Sequence, residues 1–369
     1  MNLFVPNMRT EEILDELRVV LNSGWIGLGP RVEKFENEVA KHVNANHAAA
    51  TSSCTGALQI SLKALQLEPG SIVATTPVTF VSTNHAILHE RLRPLFLDVN
   101  PLTGNISVDS LKEAIKHHKI SCLIPVHLGG YPCDLDEINT LCLENGITVI
   151  EDCAHAFGAS YKGKMVGSGE NTCCWSFQAV KNMPIGDGGA LTCNDADRDT
   201  IYKRMRWMGI DKDTISRNTK GYKWEYDVKD VGFKYFMNDI AATIGSVQIK
   251  YINQDNTRRK EIADLYRNNL TSVMHPAYED NRVSSYHFYP VFLKNRMEVY
   301  DALTRAEIFP GIHYKLNTRY RMYDDALRMD LTGAHEYERT EITLPIHTLL
   351  SDDDVMKVVD IVNKHGQKS

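Results

Sequence analysis

Two short stretches hold the side chains best suited to covalent chemistry. Glu151-Asp152-Cys153-Ala154-His155 follows the apolar run Ile147-Thr148-Val149-Ile150, which sets a carboxylate at the end of a buried strand. Cys174-Trp175-Ser176-Phe177 is a second apolar run, leading to Ser176, then a single lysine, Lys181, then the turn Gly186-Asp187-Gly188-Gly189. A lysine amine can hold an aldehyde as a Schiff base, and a carboxylate can keep a pyridine nitrogen protonated so that the ring accepts electrons. The pair therefore points to pyridoxal-phosphate chemistry, with Lys181 on the aldehyde and Asp152 at the ring nitrogen. The ordinary alternatives are a solvated surface lysine and a helix-capping aspartate. The apolar strand before Lys181 and the glycine turn after it weigh against them.

A chain of 369 residues has room for one large domain and one smaller one. Its 43% hydrophobic and 24% charged residues are ordinary for a globular protein. A net charge of −6 without a long basic run argues against nucleic acid and anionic membrane surfaces as partners. The opening residues lack the basic-then-apolar pattern of a leader, and no apolar stretch approaches membrane-spanning length. A cytoplasmic location is expected. The eight cysteines form no C-x-x-C pair, so reduced thiols are expected, with no disulfide framework and no metal site.

Elements must then carry these groups to one place. Helical spacing predicts helices over 10–21 and 32–42, the second turning Phe35 and Val39 inward. Between them lies the glycine-rich loop 24–30, read mainly as a turn, with Trp25 a candidate substrate contact. Residues 48–51 read as a strand, and Ser52-Ser53-Cys54-Thr55-Gly56 opens a helix. That order makes either a plain N-cap or a phosphate seat, because a helix N-terminus offers unpaired N–H groups. Strands over 71–75, 95–99, 120–127 and 147–151 alternate with helices ending at 88, and over 108–117 and 135–145. This alternation predicts a largely parallel sheet with helices on both faces and ligands at the carboxyl ends of the strands. Thr55, Phe80, His127 and Asp152 fall there. A strand over 190–193 and a helix over 196–208 follow, then a long polar loop over 209–231 containing Trp224 and Tyr226. One long helix is expected over 238–270. A strand over 285–293, a helix over 297–306, a strand starting at 311–314 and a helix over 352–364 complete a smaller α+β domain. The expected division is 1–245, the large domain with the N-terminal helix, and 246–369.

With the pieces in order, the chain resembles the DegT/DnrJ/EryC1/StrS family of nucleotide-sugar aminotransferases, whose fold is aspartate-aminotransferase-like (fold type I). The resemblance runs from Gly24 to His347. Its markers are Gly29-Pro30, Phe35-Glu36, Thr55-Gly56-Ala57-Leu58, Thr79-Phe80-Val81, Val126-His127-Leu128-Gly129-Gly130, Glu151-Asp152-Cys153-Ala154-His155-Ala156-Phe157-Gly158, Ser176-Phe177, Lys181-Asn182, Gly186-Asp187-Gly188-Gly189 and Met237-Asn238-Asp239-Ile240-Ala241-Ala242. Any one is weak; together in this order they are specific.

The resemblance implies that Lys181 is the Schiff-base lysine and that Asp152 pairs with the pyridine nitrogen. It places His155 near the ring oxygen of pyridoxal 5'-phosphate and Phe80 stacked on the ring. Ser176, Thr55 and the N–H groups from Cys54 to Gly56 would seat the phosphate, and His313 and Tyr314 are candidate substrate contacts. Two departures stand out. Where the family has Gly-Tyr-Asn-Tyr-Arg-Met, this chain has Gly232-Phe233-Lys234-Tyr235-Phe236-Met237. Lys234 thus replaces an asparagine that reaches the other subunit's cofactor phosphate, and Phe236 replaces an arginine. Cys54 stands where glycine is usual, though only its N–H is needed.

The implied reaction takes an amino group from glutamate to a nucleotide-linked 4-keto-6-deoxyhexose, giving a 4-amino-4,6-dideoxy sugar nucleotide, in a homodimer with shared sites. Amination of a 3-keto sugar or an inosose is the alternative within the family. A non-catalytic cofactor sensor is the alternative outside it. Sugar dehydratases of the same family carry histidine in place of the lysine, so Lys181 argues against that activity. No G-x-G-x-x-G follows a strand, which disfavours a plain nucleotide-binding module.

Overall fold

The computed structural model describes residues 1–211 and 226–368. Its centre is an eight-stranded sheet, ordered His47–Thr51, Gly189–Cys193, Thr172–Ser176, Thr148–Asp152, Ile120–Leu123, Ile72–Thr75, Arg93–Phe96, Leu327–Arg328. Gly189–Cys193 alone runs antiparallel to its two neighbours; every other pairing is parallel. The fold is thus α/β with a mainly parallel large sheet, as the alternation predicts.

The central strands are largely buried because both faces of the sheet are covered. Successive strand residues point to opposite faces. Ala48, Ala50, Trp175 and Ala190 join the cluster under the helix Pro30–Val43, whose Phe35 and Val39 are fully buried. Their neighbours Ala49, Cys174 and Leu191 join the opposite cluster, built around the helix Cys54–Ala64.

Two contacts fix the edge that feeds the site. Glu36 accepts the Ala50 N–H at 2.8 Å, Arg206 donates to the Ala50 carbonyl at 2.6 Å, and the two side chains form a buried ion pair. The edge strand is therefore gripped on both sides of one residue. Gly189 supplies the second contact. A Cβ there would lie 2.5 Å from both the Cys54 nitrogen and the Ser53 carbonyl carbon. Only glycine lets this strand approach the turn at the start of Cys54–Ala64.

Several elements differ from expectation, and four of the differences bear on the architecture around the site. The helix expected over 238–270 is two helices, Asp239–Gln248 and Ile252–Asn269, joined by a 3₁₀ turn at Ile249–Tyr251. No glycine or proline marks this break. It is held from outside, because Lys250 and Tyr251 both bond Glu12 of the helix Thr10–Ser23. The strand expected over 285–293 is only Tyr289–Phe292. Upstream, the Ser285 and His287 N–H groups bond the carbonyls of Gly130 and Gly129, and Tyr286 takes a left-handed φ of 49°. Residues 311–314 form no strand; only Gly311 pairs, with Thr343. The partner of Tyr289–Phe292 is Glu341–Leu344, which follows the helix Thr332–Thr340 with no turn residue to announce it. The loop over 209–231 lies largely outside the described residues, Trp224 included. Among the described residues no helix is long and apolar enough to cross a membrane.

We propose the division 1–245 and 246–369, with two exchanges across it. Leu327–Arg328 pairs with Arg93–Phe96 of the large sheet, and Phe4 stacks on His287 with ring centroids 5.2 Å apart. Gly189→Ala should destabilise the protein by about 1–3 kcal/mol through overpacking of the Ser53–Cys54 turn. Chemical denaturation measures this; a midpoint equal to the wild type would mean that the turn yields freely.

Candidate active site

A cavity of about 450 Å³ opens at the carboxyl end of the sheet. Asp152 ends its strand there, Ser176 ends the next, and Gly188 directly precedes the antiparallel one. The turn Ser53-Cys54-Thr55, the segment Thr79-Phe80, and His287, His313 and Tyr314 close the walls. The structure thus brings Cys54, Thr55, Phe80, Asp152, His155, Ser176, Lys181, His313 and Tyr314 to one cavity.

Asp152 is 3% exposed. One carboxylate oxygen accepts from the Thr83 hydroxyl at 2.7 Å, and the other from the Ala154 N–H at 3.1 Å. Thr83 in turn shares a 2.8 Å hydrogen bond with the Thr79 hydroxyl. Burial raises the Asp152 pKa; the two donors and the Lys181 charge oppose that rise. Lys181 keeps some solvent contact as a residue, yet its ammonium is desolvated and its pKa falls to about 8, with Asp152 pulling the other way. Among the described residues none hydrogen-bonds its Nζ. A lysine in this state has a neutral fraction near neutral pH and can attack a carbonyl carbon.

His155 is buried, and its Nδ1 accepts the Gly129 N–H at 3.3 Å. The neutral ring therefore carries its proton on Nε2, 3.3 Å from the Tyr314 hydroxyl. Burial and the nearby Lys181 charge hold its pKa well below the ordinary histidine range. The ring stacks on His287 at 4.3 Å. His155 is thus a fixed neutral donor. Phe80 lines the cavity while 58% exposed. A phenylalanine without a packed partner on one face leaves room for a flat ring.

The helix Cys54–Ala64 is capped by Ser53, whose hydroxyl accepts from Gly56 N–H at 3.1 Å. Capping spends one donor; the first-turn N–H groups of Cys54 and Thr55 remain for an anion, with the Ser176 hydroxyl nearby in the same cavity. The arrangement fits a flat, cationic ring with a reactive aldehyde and an anionic tail. The desolvated amine suits the aldehyde, the buried carboxylate the ring cation, and the helix start the anion.

Two expected residues lie elsewhere. Trp25 is outside the cavity of its own chain: its indole donates to the Leu28 carbonyl at 3.1 Å, and the ring fills the space where a Gly29 Cβ would sit. Lys234 is exposed, outside the cavity, and makes no ion pair among the described residues. Several cavity residues carried no catalytic or binding role in the sequence reading, among them Thr83, Phe4, His287 and Gln178. Thr83 lies two residues past the marker Thr79-Phe80-Val81, and its reach to Asp152 depends on the helix Val81–His89. Phe4 and His287 arrive from distant segments. Gln178 stands three residues before Lys181 and gave no signal beyond its position. The buried His127 bonds Glu151 at 2.9 Å behind the site.

The comparisons with known proteins agree. A model of the DegT/DnrJ/EryC1/StrS aminotransferase family matches residues 7–363. The chain is 33% identical to dTDP-4-dehydro-2,3,6-trideoxy-D-glucose 4-aminotransferase of Saccharopolyspora spinosa, covering 98% of this chain and 96% of that one. It is 31% identical to UDP-4-amino-4-deoxy-L-arabinose–oxoglutarate aminotransferase of Shewanella sediminis, covering 98% of each. Among solved structures, the PMP form of Spr1654 from Streptococcus pneumoniae superposes with a TM-score of 0.90 at 28% identity, covering 98% of both chains.

In the cofactor-free protein, modification of Lys181 by an amine reagent should follow a titration centred near pH 8. Site-resolved mass spectrometry reads this directly. A midpoint near the ordinary lysine value of about 10.4 would show that the amine is not desolvated.

Proposed function

Since this chain belongs to the DegT/DnrJ/EryC1/StrS aminotransferase family and is a pyridoxal-phosphate-dependent sugar aminotransferase, we propose that it transfers an amino group from glutamate to a nucleotide-linked 4-keto-6-deoxyhexose. The product would be a 4-amino-4,6-dideoxy sugar nucleotide. The observation that carries the catalytic assignment is the desolvated Lys181 amine sharing one cavity with the buried Asp152. The two relatives named above support amination at the sugar 4-position, and the oxoglutarate in the Shewanella enzyme's name supports glutamate as donor.

When bound, pyridoxal phosphate supplies an electron sink for the pair left by a departing C–H proton. The residues have separate tasks. Lys181 would hold the cofactor's aldehyde and, when free, would carry a proton away from the donor's α-carbon and return one in the second half-reaction. A pKa of about 8 leaves it able to do both near neutral pH. Asp152 holds the ring-nitrogen proton, and Thr83 and Ala154 orient its two oxygens. A pyridinium against it restores the ionised state that burial opposes. His155 would donate from Nε2 to the ring oxygen. Phe80 would cover one ring face, and Cys54, Thr55 and Ser176 would seat the phosphate. Lys234, exposed and unpaired among the described residues, would arrive from the partner of a homodimer and add the positive charge that the phosphate seat lacks.

Four measurements test this reading. The glutamate-loaded protein, offered UDP-, GDP- and dTDP-4-keto-6-deoxy sugars, should aminate one class at C4; amination at C3, or of an inosose alone, would contradict it. Lys181→Ala should lower turnover by about 10²–10⁴-fold or more while retaining the fold, and Asp152→Asn should change the bound cofactor's spectrum as well as turnover. Finally, Lys181→Ala and Lys234→Glu should complement each other after subunit exchange, because one site of the mixed dimer has both lysines. If Lys234→Glu is inactive and the exchanged mixture stays inactive, Lys234 acts within its own chain.

A further inference from the structure

His313 lines the cavity, and behind it lies a closed chain of polar groups with no role in the reaction as described so far. Its Nδ1 is 2.8 Å from the Thr343 hydroxyl, which is 2.5 Å from Glu341 Oε1. The His313 backbone N–H donates to the other oxygen, Oε2, at 2.9 Å. Thr343 and Glu341 are fully buried and share one face of the strand Glu341–Leu344, two residues apart. Phe288 stacks on the His313 ring at 5.0 Å and Phe4 meets its edge at 5.8 Å, so the ring cannot swing away. Among the described residues nothing hydrogen-bonds its Nε2.

We propose that Glu341 and Thr343 are positioning residues that decide whether His313 offers the substrate a hydrogen-bond donor or an acceptor. With Glu341 protonated, its acid hydrogen sits on Oε1, since Oε2 already accepts the His313 N–H. It donates to Thr343, Thr343 donates to His313 Nδ1, and the ring proton stands on Nε2 as a donor. When one proton leaves from Nε2, the chain reverses. Nδ1 takes the Thr343 hydrogen, Thr343 takes that of Glu341, and a carboxylate remains. Nε2 is then an acceptor. One proton is lost, no heavy atom moves, and the charge resides on Glu341.

The surroundings set where this occurs. Glu341 has only neutral donors on its carboxyl group, and burial raises its pKa to about 8; Arg296 opposes the rise but bonds only the Glu341 backbone carbonyl, at 3.0 Å. His313 itself stays neutral, its pKa lowered to about 4 by burial and then by Lys181. Tyr314, His155 and His287 also border the ring's side of the cavity; burial holds Tyr314 protonated and the two histidines neutral. Below about pH 8 His313 thus presents a donor, suited to a carbonyl or hydroxyl oxygen. That this oxygen belongs to the sugar acceptor rests on the proposed function; the proton chain does not.

The chain is tested first without substrate. Infrared difference spectra across about pH 8 should show one buried carboxylic acid losing its C=O band, absent in Glu341→Gln. ¹⁵N-histidine spectra, assigned with His313→Gln, should show the His313 proton moving from Nε2 to Nδ1 over the same range. Thr343→Val should uncouple the two titrations and Thr343→Ser restore them, which keeps the test open if Glu341→Gln does not fold. No carboxylic acid titrating there, or a His313 tautomer independent of pH, overturns the proposal. With an active sugar substrate in hand, its KM should rise a few-fold to about tenfold above pH 8, the scale of one lost hydrogen bond, while the KM for glutamate stays level. A flat sugar KM beside a switching His313 would overturn the substrate assignment alone.

Discussion

Two opposite charges, the Lys181 ammonium and the Asp152 carboxylate, are held out of water in one cavity, and the rest of the site follows from that constraint. Each is destabilised by burial and partly rescued by the other. Neither is neutralised by a tight ion pair, which would hide both from a ligand. A lysine with its pKa near 8 is a nucleophile and a proton carrier. A carboxylate supported only by Thr83 and Ala154 still has capacity for a cation. The tension is resolved when a cationic ring occupies the space between, so affinity and chemistry share one cause.

The framework has to hold this arrangement on rigid elements. The parallel strands deliver Asp152 and Ser176 to one edge of the sheet, and Gly189–Cys193 brings the chain back past the helix start at Cys54. The Glu36–Arg206 pair grips the edge strand at Ala50, one residue before the strand ends at Thr51. The Ser52 N–H then bonds the carbonyl of Tyr235, which ties the same turn to the segment carrying Lys234. Packing, the anion seat and the proposed crossing to a partner subunit therefore meet at one short stretch.

Much of this was legible in the sequence, because strand–turn–helix alternation and strand-end polar residues are local patterns. Asp152, Lys181, Ser176 and the Ser53-Cys54-Thr55 turn stand where local rules put them. The misses share a different cause. The break at Ile249–Tyr251 is bonded to Glu12, far away in sequence. The short strand Tyr289–Phe292 starts late because Gly129 and Gly130 take the hydrogen bonds of the residues before it. Glu341–Leu344 is invisible as a strand until its partner is placed, and with it Thr343 and Glu341 behind His313. Thr83 and His287 reach the site only through tertiary contacts, and Trp25 stays with its own loop because Gly29 leaves it room. Position along a strand was readable; which distant groups meet was not.

The most direct measurement of the central claim is to reduce the pyridoxal-phosphate-loaded protein with borohydride and locate the trapped cofactor by peptide mass spectrometry. The account predicts the pyridoxyl group on Lys181 and on no other lysine. Its appearance on a different lysine, with Lys181 unmodified, would contradict the assignment of this cavity as the place where the amino group is transferred.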